Sequence, residues 1–124
     1  MSRLANKVSI ITGGASGIGE AISNVFYKEG SNICVIDNNT DKLNLFEKNI
    51  NSKNNLLTFS FDVSDELRWK DCISKVLNKW GKIDVLVNNA GMSLRSNFEE
   101  MKRKDWDKVF AVNSTAVMLG TQNV

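Results

Sequence analysis

The strongest constraint on this chain is the stretch Ile10-Ile11-Thr12-Gly13-Gly14-Ala15-Ser16-Gly17-Ile18-Gly19. An apolar run ends in a glycine-rich turn, and a segment of helical periodicity follows at once. A strand that passes through such a turn into a helix gathers backbone N–H groups and a helix N-terminus at one point, which makes a seat for phosphate. The glycines stand where close approach is needed: Gly13 leaving the strand, Gly17 at the turn, Gly19 where the helix packs on the sheet. The first expectation is therefore a dinucleotide pyrophosphate held at this turn.

The remaining pattern is consistent with that context. Lys7 to Thr12 reads as a buried strand, and Ile18, Ala21, Ile22, Val25 and Phe26 form the apolar face of a helix that Gly30 stops as a left-handed cap. Ile33 to Ile36 is a second apolar run ended by Asp37-Asn38-Asn39. Thr40 or Asp41 is expected to cap a helix with face Leu43, Phe46 and Ile50. After a polar loop from Asn51 to Asn55, Leu56 to Phe61 alternates as a third strand. Ser64 with Asp65 and Glu66 opens a helix with inner stripe Trp69, Ile73, Val76, Leu77 and Trp80, and Gly81 ends it. Val85-Leu86-Val87 is a fourth strand leading into Asn88-Asn89-Ala90-Gly91. From about Arg103 the chain is helical, with Trp106, Val109, Phe110, Asn113, Val117 and Gly120 on one face. Four strand–helix alternations predict an α/β, Rossmann-like, doubly wound parallel sheet, cut off after about four strands and four helices.

Composition narrows the function classes. With 124 residues the chain suits one domain, and a net charge of +2 gives no footprint for nucleic acid. The run Lys102-Arg103-Lys104 lies between acidic residues and reads as a solvated helix start. The chain has no histidine, which removes imidazole acid–base chemistry and the commonest metal ligand, and no metal site is expected. No apolar stretch reaches membrane length, so a cytoplasmic location without a membrane partner is the default. Cys34 and Cys72 read as small core fillers in a reducing compartment, a disulfide or reactive thiol being the alternative.

Two polar residues carry chemistry on their own account. Asp37 ends the second strand near the ~20-residue offset at which a ribose-binding acid is expected. Its carboxylate would accept the adenosine hydroxyls and repel a 2′-phosphate. Neither Ser16 nor Asn38 is the cation that such a phosphate needs, so NAD is preferred over NADP. The alternative for Asp37 is a solvated strand end or an Asx turn with Asn38 and Asn39. Asn113 falls within an apolar helical stripe, where an unpaired amide costs roughly 1–3 kcal/mol, so backbone or ordered water must hydrogen-bond it.

The segment Thr12-Gly13-Gly14-Ala15-Ser16-Gly17-Ile18-Gly19 resembles the Thr-Gly-x-x-x-Gly-x-Gly turn of the short-chain dehydrogenase/reductase family, and Asn88-Asn89-Ala90-Gly91 resembles that family's motif after its fourth strand. Asp62-Val63 and Val112-Asn113 also fall in register, and the similarity runs from about Leu4 to Val124. The resemblance implies that Gly13, Ser16, Gly17, Ile18 and Gly19 surround the pyrophosphate and adjoining ribose. It gives the adenosine ribose to Asp37, the adenine amino group to Asp62 and the adenine ring to Val63. Asn89, Ala90 and Gly91 would line the cofactor, with Thr12 and Asn88 bracing the first and fourth strands. Asn113 would hold a water in the proton relay. The implied reaction is hydride transfer between NAD and a secondary alcohol or ketone, by a homodimer or homotetramer.

The family's chemistry also needs a Ser, a Tyr and a Lys four residues after the Tyr. This chain has a single tyrosine, Tyr27, followed four residues on by Ser31. Residues 1–124 are thus expected to be the cofactor-binding portion of a Rossmann domain, inactive alone, or else a truncated dinucleotide-binding module without catalysis. Without further strands, Val85-Leu86-Val87 would be an exposed apolar edge, so the chain alone is expected to be marginally stable or self-associating. A monodisperse monomer with a sharp, cooperative melt would count against this.

Overall fold

The computed structural model describes residues 2–124. Strands β1 (Val8–Thr12), β2 (Asn32–Asp37), β3 (Leu56–Ser60) and β4 (Val85–Val87) form one parallel sheet in the order β3-β2-β1-β4. Helices α1 (Gly17–Lys28), α2 (Thr40–Lys48) and α3 (Glu66–Trp80) make the crossovers, and α4 (Arg103–Phe110) and α5 (Ala116–Asn123) follow the last strand. The strand order reverses between β1 and β4, and open α/β sheets bind ligands at the strand carboxyl ends beside such a switch point.

Alternate residues of β1 and β2 supply two cores. On one face Val8, Ile10, Cys34 and Ile36 pack with Trp69 and Val76 of α3 and with Ala116 and Leu119 of α5. On the other, Ile11, Ile33 and Val35 meet Leu43 and Phe46 of α2, with Ile22 and Phe26 of α1 against them. Burial on both faces is why β1 and β2 are near-continuous apolar runs. Cys34 and Cys72 are free, buried thiols with sulfurs 3.8 Å apart. Burial, then the Cys72 thiol against it, pushes the Cys34 thiol well above its ordinary range, which keeps it a neutral core filler.

Several boundaries differ from expectation. The cap of α2 is Asn39, whose Oδ1 accepts the Lys42 N–H at 3.0 Å, rather than Thr40 or Asp41. The start of α3 falls within the expected Ser64-Asp65-Glu66, with Asp65 as the cap and Ser64 donating its N–H and Oγ–H to Asp62 Oδ1. The β2–β3 ladder ends at Asp37 opposite Ser60, so Phe61 leaves the strand and packs edge-on to Trp69 at 5.8 Å. Ile18 is 76% exposed, because it lies in the first turn of α1, ahead of the part that packs on the sheet. Leu77 and Val25 are exposed borders of their stripes rather than inner positions.

The expected final helix is interrupted by a π-turn at Ala111–Thr115. Such a turn inserts a residue and rotates the following positions by about 100°. Beyond it Ala116, Leu119 and Gly120 face the core, while Trp106 and Phe110 before it and Val117 after it are exposed. The single stripe read from the sequence does not survive that rotation.

Asp84 ties the sheet's switch point to the N-terminal segment. Its Oδ2 accepts the Val8 N–H at 2.9 Å, and Lys82 and Lys7 stand 3.1 and 3.9 Å from its carboxylate. The Val8 N–H, then Lys82 and Lys7, hold its pKa below the ordinary value. A depressed carboxylate stabilises the fold above its unfolded pKa, about 4, and loses that contribution as pH falls through the folded value. Asp84→Asn is expected to lower the melting temperature at pH 7, with the gap to wild type closing as the pH falls from the unfolded pKa of about 4 through the lower folded value. Melts recorded across that range check it.

Candidate functional site

The site is built where β1 leaves the sheet. Gly13 has φ +61°, a left-handed conformation that a side chain resists, and its carbonyl lies directly under α1. A Cβ on Gly19 would stand 2.0 Å from that carbonyl oxygen. The close approach the sequence implied for Gly19 is thus real, and it lets α1 start against the turn. Ser23, a serine on the buried face of α1, donates its hydroxyl toward the carbonyls of Gly14 (3.1 Å) and Gly19 (2.9 Å). Sequence reasoning missed Ser23, although a serine four residues after Gly19 on an otherwise apolar face was a usable signal.

The turn is clamped to β4. Thr12, 2% exposed, donates Oγ1–H to the Val87 carbonyl at 3.3 Å and accepts the N–H groups of Asn89 (3.0 Å) and Ala90 (2.9 Å). Asn89 returns its Nδ2 to the carbonyls of Thr12 and Gly13 at 3.1 and 3.2 Å. The brace between the first and fourth strands is therefore Thr12 with Asn89. Asn88 turns the other way and reaches Thr121 Oγ1 at 3.3 Å, which corrects the expectation for it. Thr12, with its hydroxyl committed, belongs to the wall behind the cleft and not to its lining.

The cleft in front of this clamp has a volume of about 420 Å³. Of the expected site residues, Gly13, Ser16, Asp37, Asp62, Val63, Asn89, Ala90 and Gly91 line it together, with Asn38, Asn39, Lys42, Phe61, Met92, Lys108 and Val112 making up the rest. Gly17 and Ile18 stand exposed in the first turn of α1, and Gly19 is buried behind. Asp37 is only 8% exposed. Its Oδ2 accepts the Ala15 N–H at 3.2 Å and its Oδ1 the Asn39 N–H at 3.0 Å. The second bond is the Asx turn weighed from the sequence, so that turn and a carboxylate aimed into the cleft coexist.

The start of α1 differs from those of α2 and α3. Asn39 and Asp65 cap their helices with side-chain oxygens, but Ser16 at the N-cap of α1 makes no such bond. The first-turn N–H groups of α1 receive no side-chain cap from Ser16, which itself lines the cleft. A buried carboxylate and an uncapped helix start thus border one cleft.

Asn113 is not itself in the lining of this cleft but abuts it, its Oδ1 standing 3.4 Å from where a Cβ on Gly91 would lie. It is exposed rather than buried in a stripe, and its amide pairs with a single backbone unit: Oδ1 accepts the Met92 N–H and Nδ2 donates to the Met92 carbonyl, both at 2.8 Å. The partner is backbone, one of the two expected choices, and Asn113 fastens the loop after Gly91 to the π-turn. Tyr27 is structural, its hydroxyl accepting the Ser52 N–H at 3.0 Å. Among the described residues no cluster of metal-ligating side chains occurs, and no helix is long and apolar enough to cross a membrane.

Comparison with known proteins agrees with this geometry. A family model described as short chain dehydrogenase matches residues 7–124. A 3-oxoacyl-[acyl-carrier-protein] reductase from Thermotoga maritima is 38% identical over 98% of the chain, and an NADP-dependent (R)-specific alcohol dehydrogenase from Lentilactobacillus kefiri is 32% identical over 97%. These alignments cover 50% and 48% of the two relatives, so the chain spans about half the length of the curated relatives it matches. A crystal structure of a Brucella melitensis short-chain dehydrogenase/reductase, titled glucose/ribitol dehydrogenase, superposes with a TM-score of 0.92 at 27% identity, covering 97% of this chain and 51% of that one. The chain belongs to the short-chain dehydrogenase family of oxidoreductases, whose members bind nicotinamide dinucleotides.

Proposed function

We propose that residues 1–124 form the cofactor-binding portion of an NAD-dependent oxidoreductase that moves hydride between the nicotinamide and a secondary alcohol or ketone. The observation that carries this reading is the pairing of Asp37 with the uncapped start of α1 across one cleft. Asp37, pinned by two backbone N–H groups, keeps lone pairs for the ribose hydroxyls, and its charge disfavours a 2′-phosphate there. The first turn of α1, with Gly17, Ile18 and Gly19, would take the pyrophosphate through backbone N–H groups. Asp62 and Val63 would hold adenine, and Asn89, Ala90 and Gly91 the cofactor beyond it. When bound, the cofactor would accept the hydride from an alcohol or, in its reduced form, supply it to a ketone. The protein binds and orients the cofactor.

Asn113 enters as a positioning residue: its amide, committed to Met92, fixes the loop that leaves the cleft. The single tyrosine is held by Ser52 and has Ser31 four residues on; the second reading is a binding module with no catalysis of its own. The two buried thiols favour a reducing, cytoplasmic setting, and the exposed Trp106 and Phe110 fit a homodimer or homotetramer of the whole enzyme.

Asp37→Ala tests the cofactor assignment. It is expected to weaken NADH binding by about tenfold, the loss of a charge-assisted hydrogen-bonding pair, and to narrow the preference over NADPH. Fluorescence titration of the two reduced cofactors measures both effects. Unchanged NADH affinity in the variant would show the ribose assignment to be wrong.

A further inference from the structure

We propose that Ser64 is a positioning residue. It locks the Asp62 carboxylate at the cleft wall and so sets how well the cleft tells a purine with an exocyclic amino group from one with an exocyclic carbonyl. The proposal rests on the dinucleotide reading of the site, with adenine at Asp62 and Val63. Ser64 stands beside the start of α3, where a serine hydroxyl commonly accepts a first-turn N–H. The capping role passes over it to Asp65, whose Oδ1 accepts the Arg68 N–H at 3.2 Å. Ser64 instead turns back and donates both its N–H (2.9 Å) and its Oγ–H (2.7 Å) to Asp62 Oδ1.

The backbone under this grip is fixed as well. The Asp65 N–H closes the turn on the Asp62 carbonyl at 2.8 Å, and the Trp69 indole holds the Val63 carbonyl at 2.7 Å. Asp62 lines the cleft but is exposed, and among the described residues it joins no ion pair. Its side chain is therefore held by Ser64 alone. With Oδ1 taken twice, Oδ2 makes no hydrogen bond among the described residues and is the oxygen left to a ligand. An ionised carboxylate only accepts, so a fixed Oδ2 selects a donor. The amino group of adenine donates to it, whereas the carbonyl of hypoxanthine presents a second acceptor and is repelled. A carboxylate free to rotate would lose that distinction.

The test titrates the 124-residue chain with NADH and with reduced nicotinamide hypoxanthine dinucleotide, in which hypoxanthine replaces adenine. Wild type is expected to bind NADH about tenfold more tightly of the two. Ser64→Ala should weaken NADH by about three- to fivefold and leave the hypoxanthine cofactor within about twofold, while Ser64→Thr, which keeps the hydroxyl, should retain the wild-type ratio. A general loosening of α3 would lower both affinities together, so the ratio reports Asp62 alone, and melts of the variants verify the fold. Equal weakening of both cofactors by Ser64→Ala, or an unchanged NADH affinity, would overturn the proposal while leaving the dinucleotide site intact. A wild-type ratio in Asp62→Ala would overturn the adenine assignment of Asp62, and this proposal with it. Binding of neither cofactor by wild type would overturn the dinucleotide reading itself.

Discussion

Substituting Gly19 by alanine is expected to disable the turn and loosen the fold together. The added Cβ would sit 2.0 Å from the Gly13 carbonyl oxygen, 2.7 Å from its carbon and 2.5 Å from Asn89 Nδ2. The first two contacts are backbone, which cannot yield as a flexible side chain could. Either α1 lifts from the turn or the turn moves away from β4. Overpacking of this kind costs about 1–3 kcal/mol, and the displaced first turn should weaken NADH binding by about tenfold or more. A urea melt and an NADH titration on the same sample read the two effects. An alanine variant with wild-type stability and affinity would mean that α1 does not start against Gly13 as described.

The second large effect lies beneath the site. Trp69 is fully buried, packs against Phe61 and the backbone of Gly120, and donates its indole N–H to the Val63 carbonyl at 2.7 Å. Trp69→Ala should destabilise the chain by about 3–5 kcal/mol through lost burial and the cavity left behind. Against a total of about 5–15 kcal/mol for a domain, that leaves little or no folded margin. Trp69→Phe separates the two contributions, because it keeps much of the ring volume but leaves the Val63 carbonyl without its donor. A loss of about 1–3 kcal/mol is expected for that variant, together with a looser Val63 at the cleft wall. Equilibrium denaturation of the pair gives both numbers, and an alanine variant within about 1 kcal/mol of wild type would contradict the packing.

Much of this was legible because it is local in sequence. The turn from Thr12 to Gly19 carries its own spacing signal, and Asp37 stands at a fixed offset from it, so strand, turn, helix and the acid at the end of β2 could be read together. What was not legible depends on choices between neighbours or on distant partners. Asn39, Thr40 and Asp41 are three adjacent capping residues, and only the backbone decides that Asn39 takes the role. Asn88 and Asn89 are identical in type, yet successive residues point to opposite sides, so Asn89 reaches Thr12 while Asn88 reaches Thr121. The π-turn at Ala111–Thr115 leaves no periodicity to read, and it moved Asn113 out of the buried stripe to pair with Met92. Lys42, an exposed lysine in a helix's first turn, has no sequence pattern that marks it as part of the cleft lining.

The most direct measurement of the central claim is a titration of the 124-residue chain with NADH, followed by cofactor fluorescence and by the shift in melting temperature. The account predicts saturable binding with a dissociation constant below about 1 mM and a melting temperature that rises with ligand concentration. No fluorescence change and no shift at millimolar NADH, from protein shown to be folded, would contradict it.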